Sequence, residues 1–290
     1  MLGSEHTLTA LLVNSPLVRR VELKGTTLFR SMQQHAERFW GCQVISESVR
    51  ELLRFRARRA QEDMLALTTV FPKLVSLELE FKNGCQERDD LEPTVAEAFL
   101  KVSGTLENLS VTTSPGASWS DTNVSPQLPN LDQMATLKHL RTESIWLFGR
   151  GDSFVALQLL DILPRSLVHF HLIDYWGSSD IDAFYPRFPS SLSLLGFYDQ
   201  AFSRLYESCS MWLPNLKGIK LSLHSLSSDE SMVGSDNTAT TVGKDLPADI
   251  SAFLRKFQKL FASVGVQFSV LSPEAVNFEL HSSWANVGLS

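Results

Sequence analysis

The stretch Leu163-Pro164-Arg165-Ser166-Leu167-Val168-His169-Phe170-His171-Leu172 decides the reading of this chain, because it recurs. It returns as Phe188-Pro189-Ser190-Ser191-Leu192-Ser193-Leu194-Leu195-Gly196-Phe197 and as Leu213-Pro214-Asn215-Leu216-Lys217-Gly218-Ile219-Lys220-Leu221. Earlier forms are Phe71-Pro72-Lys73-Leu74-Val75-Ser76-Leu77-Glu78-Leu79 and Ser15-Pro16-Leu17-Val18-Arg19-Arg20-Val21-Glu22-Leu23. Each is a proline, a short spacer and an apolar-x-x-apolar-x-apolar run. Two further copies, Leu106 to Val111 and Leu137 to Thr142, lack the proline. Five of the seven copies thus carry a proline just upstream, although the whole chain of 290 residues has only 12, so the match exceeds what the apolar pattern alone would give.

The copies are regularly spaced. Their first apolar positions are 18, 74, 106, 137, 167, 192 and 216, with gaps of 56, 32, 31, 30, 25 and 24. The first gap is twice 28, which places a degenerate unit near Val49-Arg50-Glu51-Leu52-Leu53. Val266-Gln267-Phe268-Ser269-Val270 fits an eighth strand more loosely. Periods of about 20 to 30 residues with this core are those of leucine-rich repeats.

Apolar residues two apart point to the same side of a short strand. The apolar residue three earlier enters the same core as the chain turns into the strand. Crossovers with helical spacing, Glu92 to Leu106, Ser153 to Ile162 and Ala248 to Phe261, return the chain. The expected fold class is α/β: a leucine-rich-repeat-like solenoid with parallel strands on the concave face and helices or irregular crossovers on the convex face. It spans residues 1–272 as one domain, with mobile polar insertions at about 112–127 and 225–244 and a C-terminal tail at 273–290. The interior is expected to hold Leu77, Leu79, Leu109, Val111, Phe170, Leu172, Leu195, Phe197, Ile219 and Leu221.

The Leu-Pro-x-Ser-Leu-x-x-apolar-x-Leu phrase in long, uneven repeats resembles the irregular leucine-rich repeats of fungal F-box-type proteins. The closing stretch from Phe253 to Phe268 resembles the end of those chains, and the likeness runs over about residues 8–272. The resemblance implies that the repeats recruit a target, which an N-terminal F-box attaches to a ubiquitin ligase. This chain departs from the pattern in two places. The turn positions that regular repeats fill with Asn or Cys hold Thr26, Lys82, Ser114, Ile145, Tyr175, Gln200 and His224, so irregular turns are expected. No F-box precedes the first repeat, which begins within about 20 residues of Met1. The expectation is a relative shortened at its N-terminus, with either a helix from about Glu5 to Val13 as a makeshift cap or a missing segment or partner covering the first repeat.

Composition narrows the function. The chain is 43% hydrophobic, enough for one sizeable core, and its net charge of −6 argues against general nucleic-acid binding. Cys42, Cys85 and Cys209 are odd in number and far apart, which gives neither a disulfide framework nor a zinc spacing. No apolar run approaches 18 residues and no basic leader is present, so a cytoplasmic or nuclear protein, monomeric in isolation and off the membrane, is expected. The basic run Arg50, Arg54, Arg56, Arg58 and Arg59 has two readings, a nuclear-import or nucleic-acid patch and, preferred, a solvated face paired with Glu47, Glu51, Glu62 and Asp63.

No catalytic motif is present: there is no Gly-x-Ser-x-Gly, phosphate-binding glycine loop or His-Glu-x-x-His. His169 and His171 share one strand face, and His139 holds the matching place one repeat earlier beside Arg141. The register puts Arg20, Glu22, Glu78, His139, Arg141, His169, His171 and Lys220 on the concave face, with Leu194 and Gly196 also in exposed slots. Trp146, Tyr175, Trp176 and Tyr198 follow at strand ends, and such residues are typical interface anchors. The expected function is therefore binding of a protein partner, with no catalytic residue, cofactor or metal. The alternatives are a self-associating scaffold and a metal- or acid/base-dependent enzyme around His139, His169 and His171. From their outward register, charge reversal at Arg141 together with His171→Glu is expected to weaken partner capture without lowering thermal stability.

Overall fold

The computed structural model describes residues 17–22, 45–57, 60–81, 91–113, 128, 131–148, 159–176, 194–225 and 248–271. The helix expected at Glu5 to Val13, the tail at 273–290, Cys42, Cys85, Arg58, Arg59 and the interiors of both polar insertions lie outside the described residues.

Eight strands form a single open parallel sheet in simple chain order. They are β1 (Arg20–Glu22), β2 (Glu51–Ala57), β3 (Ser76–Phe81), β4 (Asn108–Thr113), β5 (His139–Glu143), β6 (His169–Trp176), β7 (Gly218–Ser225) and β8 (Gln267–Leu271). Between them lie α1 (Ala60–Val70), α2 (Leu91–Val102), α3 (Ser144–Phe148), α4 (Leu159–Ile162), α5 (Leu194–Trp212) and α6 (Ala248–Ser263), with a 3₁₀ turn at Leu131–Gln133. Parallel pairing requires each crossover to return the chain to the same end of the sheet, and helices lie in the crossovers from β2 to β4 and from β5 to β8.

Alternation along each strand splits the sheet into two faces. Leu77 and Leu79, Leu109 and Val111, Phe170 and Leu172, and Ile219 and Leu221 are all buried on one face. They merge into one continuous core with the helix stripes Met64-Leu67-Val70, Ala98-Phe99-Val102 and Tyr198-Ala201-Phe202-Leu205-Cys209. The last turn of the stack is closed by aromatic rings. Phe202 is surrounded by Phe253, Phe257, Phe261 and Phe268 at centroid distances of 5.5–6.5 Å. Gly265, with φ at +79°, ends α6: its N–H reaches the Ala262 carbonyl, the Val266 N–H reaches that of Phe261, and the chain reverses into β8.

The degenerate unit near Val49 and the loose eighth copy are both strands, β2 and β8. The copy at Phe188 to Phe197 is helical over its described residues, 194–197. Leu195 and Phe197, expected inside a strand, and Leu194 and Gly196, expected in its exposed slots, belong to α5 instead. The reason lies just downstream. Tyr198, Ala201, Phe202, Leu205 and Cys209 recur at helical spacing and bury one stripe, which a strand would split between its two faces. β6 pairs directly with β7, so this copy adds no strand to the sheet between them.

Two hydrogen-bond series tie successive turns of the chain together. The carbonyls of Arg19, Arg50, Val75, Glu107, Lys138 and Val168 each accept two N–H groups from the start of the next strand, for example Val168 and His169 on Lys138. The second series uses hydroxyls. Thr136 Oγ1 lies 2.9 Å from the carbonyls of both Ser103 and Leu106. Ser166 Oγ lies 3.2 Å from the Met134 carbonyl and 2.7 Å from that of Leu137. The serine of the Leu-Pro-x-Ser-Leu phrase thus bonds to the turn before it, in a chain without an asparagine ladder.

Candidate functional site

The second sheet face carries polar side chains in straight rows, because each strand enters in the same register. The first row runs Arg20, Glu51, Ser76, Asn108, His139, His169, Gly218 and Gln267 across all eight strands. With strands about 4.8 Å apart the row is about 34 Å long. The second row runs Glu78, Ser110, Arg141, His171, Lys220 and Ser269. A third contains Glu80 and Thr112 on one side, and Glu143, Ile173 and Ser222 on the other.

The first row is accessible. Arg20 and Glu51 pair at 3.8 Å with each side chain about half exposed, at 45% and 46%. His139 and His169 are partly exposed neighbours. Their rings stack with centroids 5.0 Å apart and planes 10° from parallel, and their Nδ1 atoms are 3.2 Å apart. One Nδ1 must donate its hydrogen and the other must accept, so the contact suits two neutral rings. Burial holds His139 below the ordinary histidine pKa, reinforced by His169 and Lys138 and opposed by Glu107. Burial likewise holds His169 down, helped by Lys217 and Lys220. Gly218 makes room for the arrangement: a Cβ there would meet His169 Cδ2 at 2.9 Å.

The inner rows are buried at several positions, while Glu78, Glu80, Thr112, Lys220 and Ser269 stay partly exposed. Arg141 and His171 are only 8% and 6% exposed, and Ser110, Glu143 and Ser222 are more buried still. His171 Nε2 makes a 2.7 Å hydrogen bond with Ser222 Oγ on the next strand. Ser110 Oγ is buried with no hydrogen-bond partner among the described residues. The strand register is as expected for Arg141 and His171, but their burial corrects the expectation that they can be reversed in charge without cost. The three histidines separate into a stacked pair and a serine-bonded third. Among the described residues no group of three His, Cys, Asp or Glu side chains is placed to hold a metal.

The remaining site residues divide by position. Arg20, Glu22, Glu78, His139, His169 and Lys220 lie on the polar face and are partly or fully accessible. Tyr175 and Trp176 end β6, with their side chains outside the described residues. Tyr198, expected as a strand-end anchor, is a correction: it sits on α5, 2% exposed, stacked on Phe202 at 5.9 Å. Trp146 is also buried, on α3. Glu47 pairs with Lys73 at 2.5 Å, and Arg50, whose charge also helps to hold the Glu47 carboxyl down, donates to the Lys73 carbonyl at 3.1 Å. The hydroxyl series at Thr136 and Ser166 escaped the sequence reading, although the position before each first apolar residue signals it.

No helix among the described residues is long and apolar enough to cross a membrane. The chain matches no known family model, no curated protein and no solved structure.

Proposed function

We propose that this chain is a protein-binding module of the leucine-rich-repeat kind, taking a protein partner along the polar face of its parallel sheet. The supporting observation is the first row: eight strands in one register present Arg20, Glu51, Ser76, Asn108, His139, His169, Gly218 and Gln267 as a continuous accessible line. No single strand offers such a surface, and repeat stacks use this kind of surface to hold extended partners. On this reading no residue is catalytic and no cofactor is required. The resemblance of the repeats to fungal F-box-type proteins adds the finer proposal that the captured protein is a ubiquitin-ligase target.

Affinity purification with mass spectrometry identifies the partner, and hydrogen exchange of the purified complex locates it. Protection concentrated at the starts of β1 to β8 is the expected result. Protection confined to the helices would overturn the reading. Co-purification of a ubiquitin-ligase scaffold subunit tests the adaptor role separately.

Self-association is a second reading with one observation in its favour. Leu17, Ile45, Leu100, Met211, Trp212 and Val264 are exposed, and all lie in stretches that lead into strands. Light scattering across a concentration series tests it.

A further inference from the structure

Charge is distributed unevenly along the polar face. β1 to β3 carry Glu22, Glu51, Glu78 and Glu80 against Arg20 and Arg56, the latter in the row of Glu80. From β5 to β7 the accessible titratable groups among the described residues are His139, His169 and Lys220, flanked at the strand starts by Lys138 and Lys217, while Glu143 on the same face is buried. Lys138 is held by Glu107 at 3.0 Å, while Lys217 and Lys220 are both close enough to His169 to disfavour its proton. Arg141 and His171 lie in the next row on the same strands, and the facing positions on β4 and β8, Asn108 and Gln267, are uncharged. This end of the face is therefore cationic on a chain whose net charge is −6.

The histidine pair sits at the centre of that patch, and its geometry depends on its protons. A proton added to the accepting Nδ1 turns both rings into donors 3.2 Å apart. That first proton makes one ring an imidazolium, and a second makes both rings cations that repel one another and Lys217 and Lys220 as well. A carboxylate placed over the row removes the conflict, because each N–H gains a charge-assisted acceptor.

We infer that the β5–β7 end of the row is a proton-gated docking site for an acidic peptide segment of the partner, with His139 and His169 as its gate. The inference rests on the proposed function and names the partner's chemistry. At neutral pH the two rings satisfy each other and the lysines provide weak attraction. On acidification the pair opens, two further cationic donors face the segment, and it binds more tightly. The glutamates on β1 to β3 repel the same segment and confine it to the other end.

The test uses the full chain with a fluorescein-labelled octa-aspartate peptide and an octa-lysine control at low ionic strength. Anisotropy should show octa-aspartate binding about tenfold tighter at pH 5.5 than at pH 7.5. His139→Gln with His169→Gln should abolish that gain, and Lys217→Gln with Lys220→Gln should weaken binding at both values. Imidazole proton resonances of the unaltered protein give a readout independent of any variant: the two rings should titrate as a coupled pair and shift on adding peptide. Equal affinity at both pH values, a gain that survives the double histidine substitution, or rings that ignore the peptide would overturn the inference. If the natural partner protects the strand starts while octa-aspartate does not bind, the acidic segment fails and the face reading stands. If octa-aspartate behaves as described but the partner protects only the helices, the face is not where that partner binds.

Discussion

Gly218 lies directly beside His169 in the neighbouring strand, with no room for a side chain between them: a Cβ on Gly218 would sit 2.9 Å from His169 Cδ2. The glycine is therefore what allows the imidazole to reach β7 on one side and His139 on the other. Gly218→Ala should push the ring and break the stacked pair. The expected outcome is loss of coupled titration between His139 and His169 by NMR, with a stability loss of about 1 kcal/mol as the ring relocates. Unchanged histidine resonances would show that the ring has an alternative place.

The histidine pair should make stability pH-dependent. Both folded-state pKa values are lowered, so the unfolded chain binds more protons than the folded one as pH falls. The contribution is fully present above the unfolded value of about 6.5 and is lost as pH falls through the depressed folded values. Urea denaturation at a series of pH values between about 7.5 and 5 should show a steeper loss in the unaltered protein than in the His139→Gln, His169→Gln variant.

The hydroxyl series predicts a cost for small changes on the outside of the stack. Ser166→Ala removes the donor shared by the Met134 and Leu137 carbonyls and should destabilise by about 1 kcal/mol. Thr136→Ala should cost a similar amount through Ser103 and Leu106. Ser103→Ala is the comparison, since that hydroxyl bonds only within its own helix end. Equal melting shifts for all three would remove the inter-repeat role.

Arg141→Glu with His171→Glu should lower the melting temperature sharply. His171 gives up its 2.7 Å bond with Ser222, and two carboxylates replace groups that are 8% and 6% exposed. A cost of about 3–5 kcal/mol is in the range for breaking a buried charged or hydrogen-bonded pair. The same substitutions with no thermal penalty would restore both residues to the accessible surface.

Phe202→Ala should be among the most damaging changes in the chain, at about 3–5 kcal/mol by denaturant titration. Its ring contacts four others that close the last turns of the stack. A loss below about 1 kcal/mol would mean that the aromatic cluster collapses into the space.

The repeated apolar phrase was enough to indicate the α/β class, the parallel strands and most of the core, because a period-two run with a fixed lead-in buries one face when it forms a strand. The faint unit at Val49 was readable from spacing, and the one at Val266 only from the alternation of Val266, Phe268 and Val270. The copy at Phe188 to Phe197 matched the same pattern, yet its end became part of α5. A short apolar run takes its form from its neighbours in the chain, here the helical stripe from Tyr198 to Cys209. The site divides in the same way. Register, set by alternation along the chain, placed Arg20, Glu22, Glu78, His139, Arg141, His169, His171 and Lys220 on one face. Depth on that face could not be read, since burial depends on what packs across the sheet and not on position along a strand. Folding alone separated the accessible pair His139 and His169 from the buried Arg141 and His171, and moved Tyr198 into the core. The hydrogen bond between His171 and Ser222, 51 residues apart, joins strands that become neighbours only in the folded sheet.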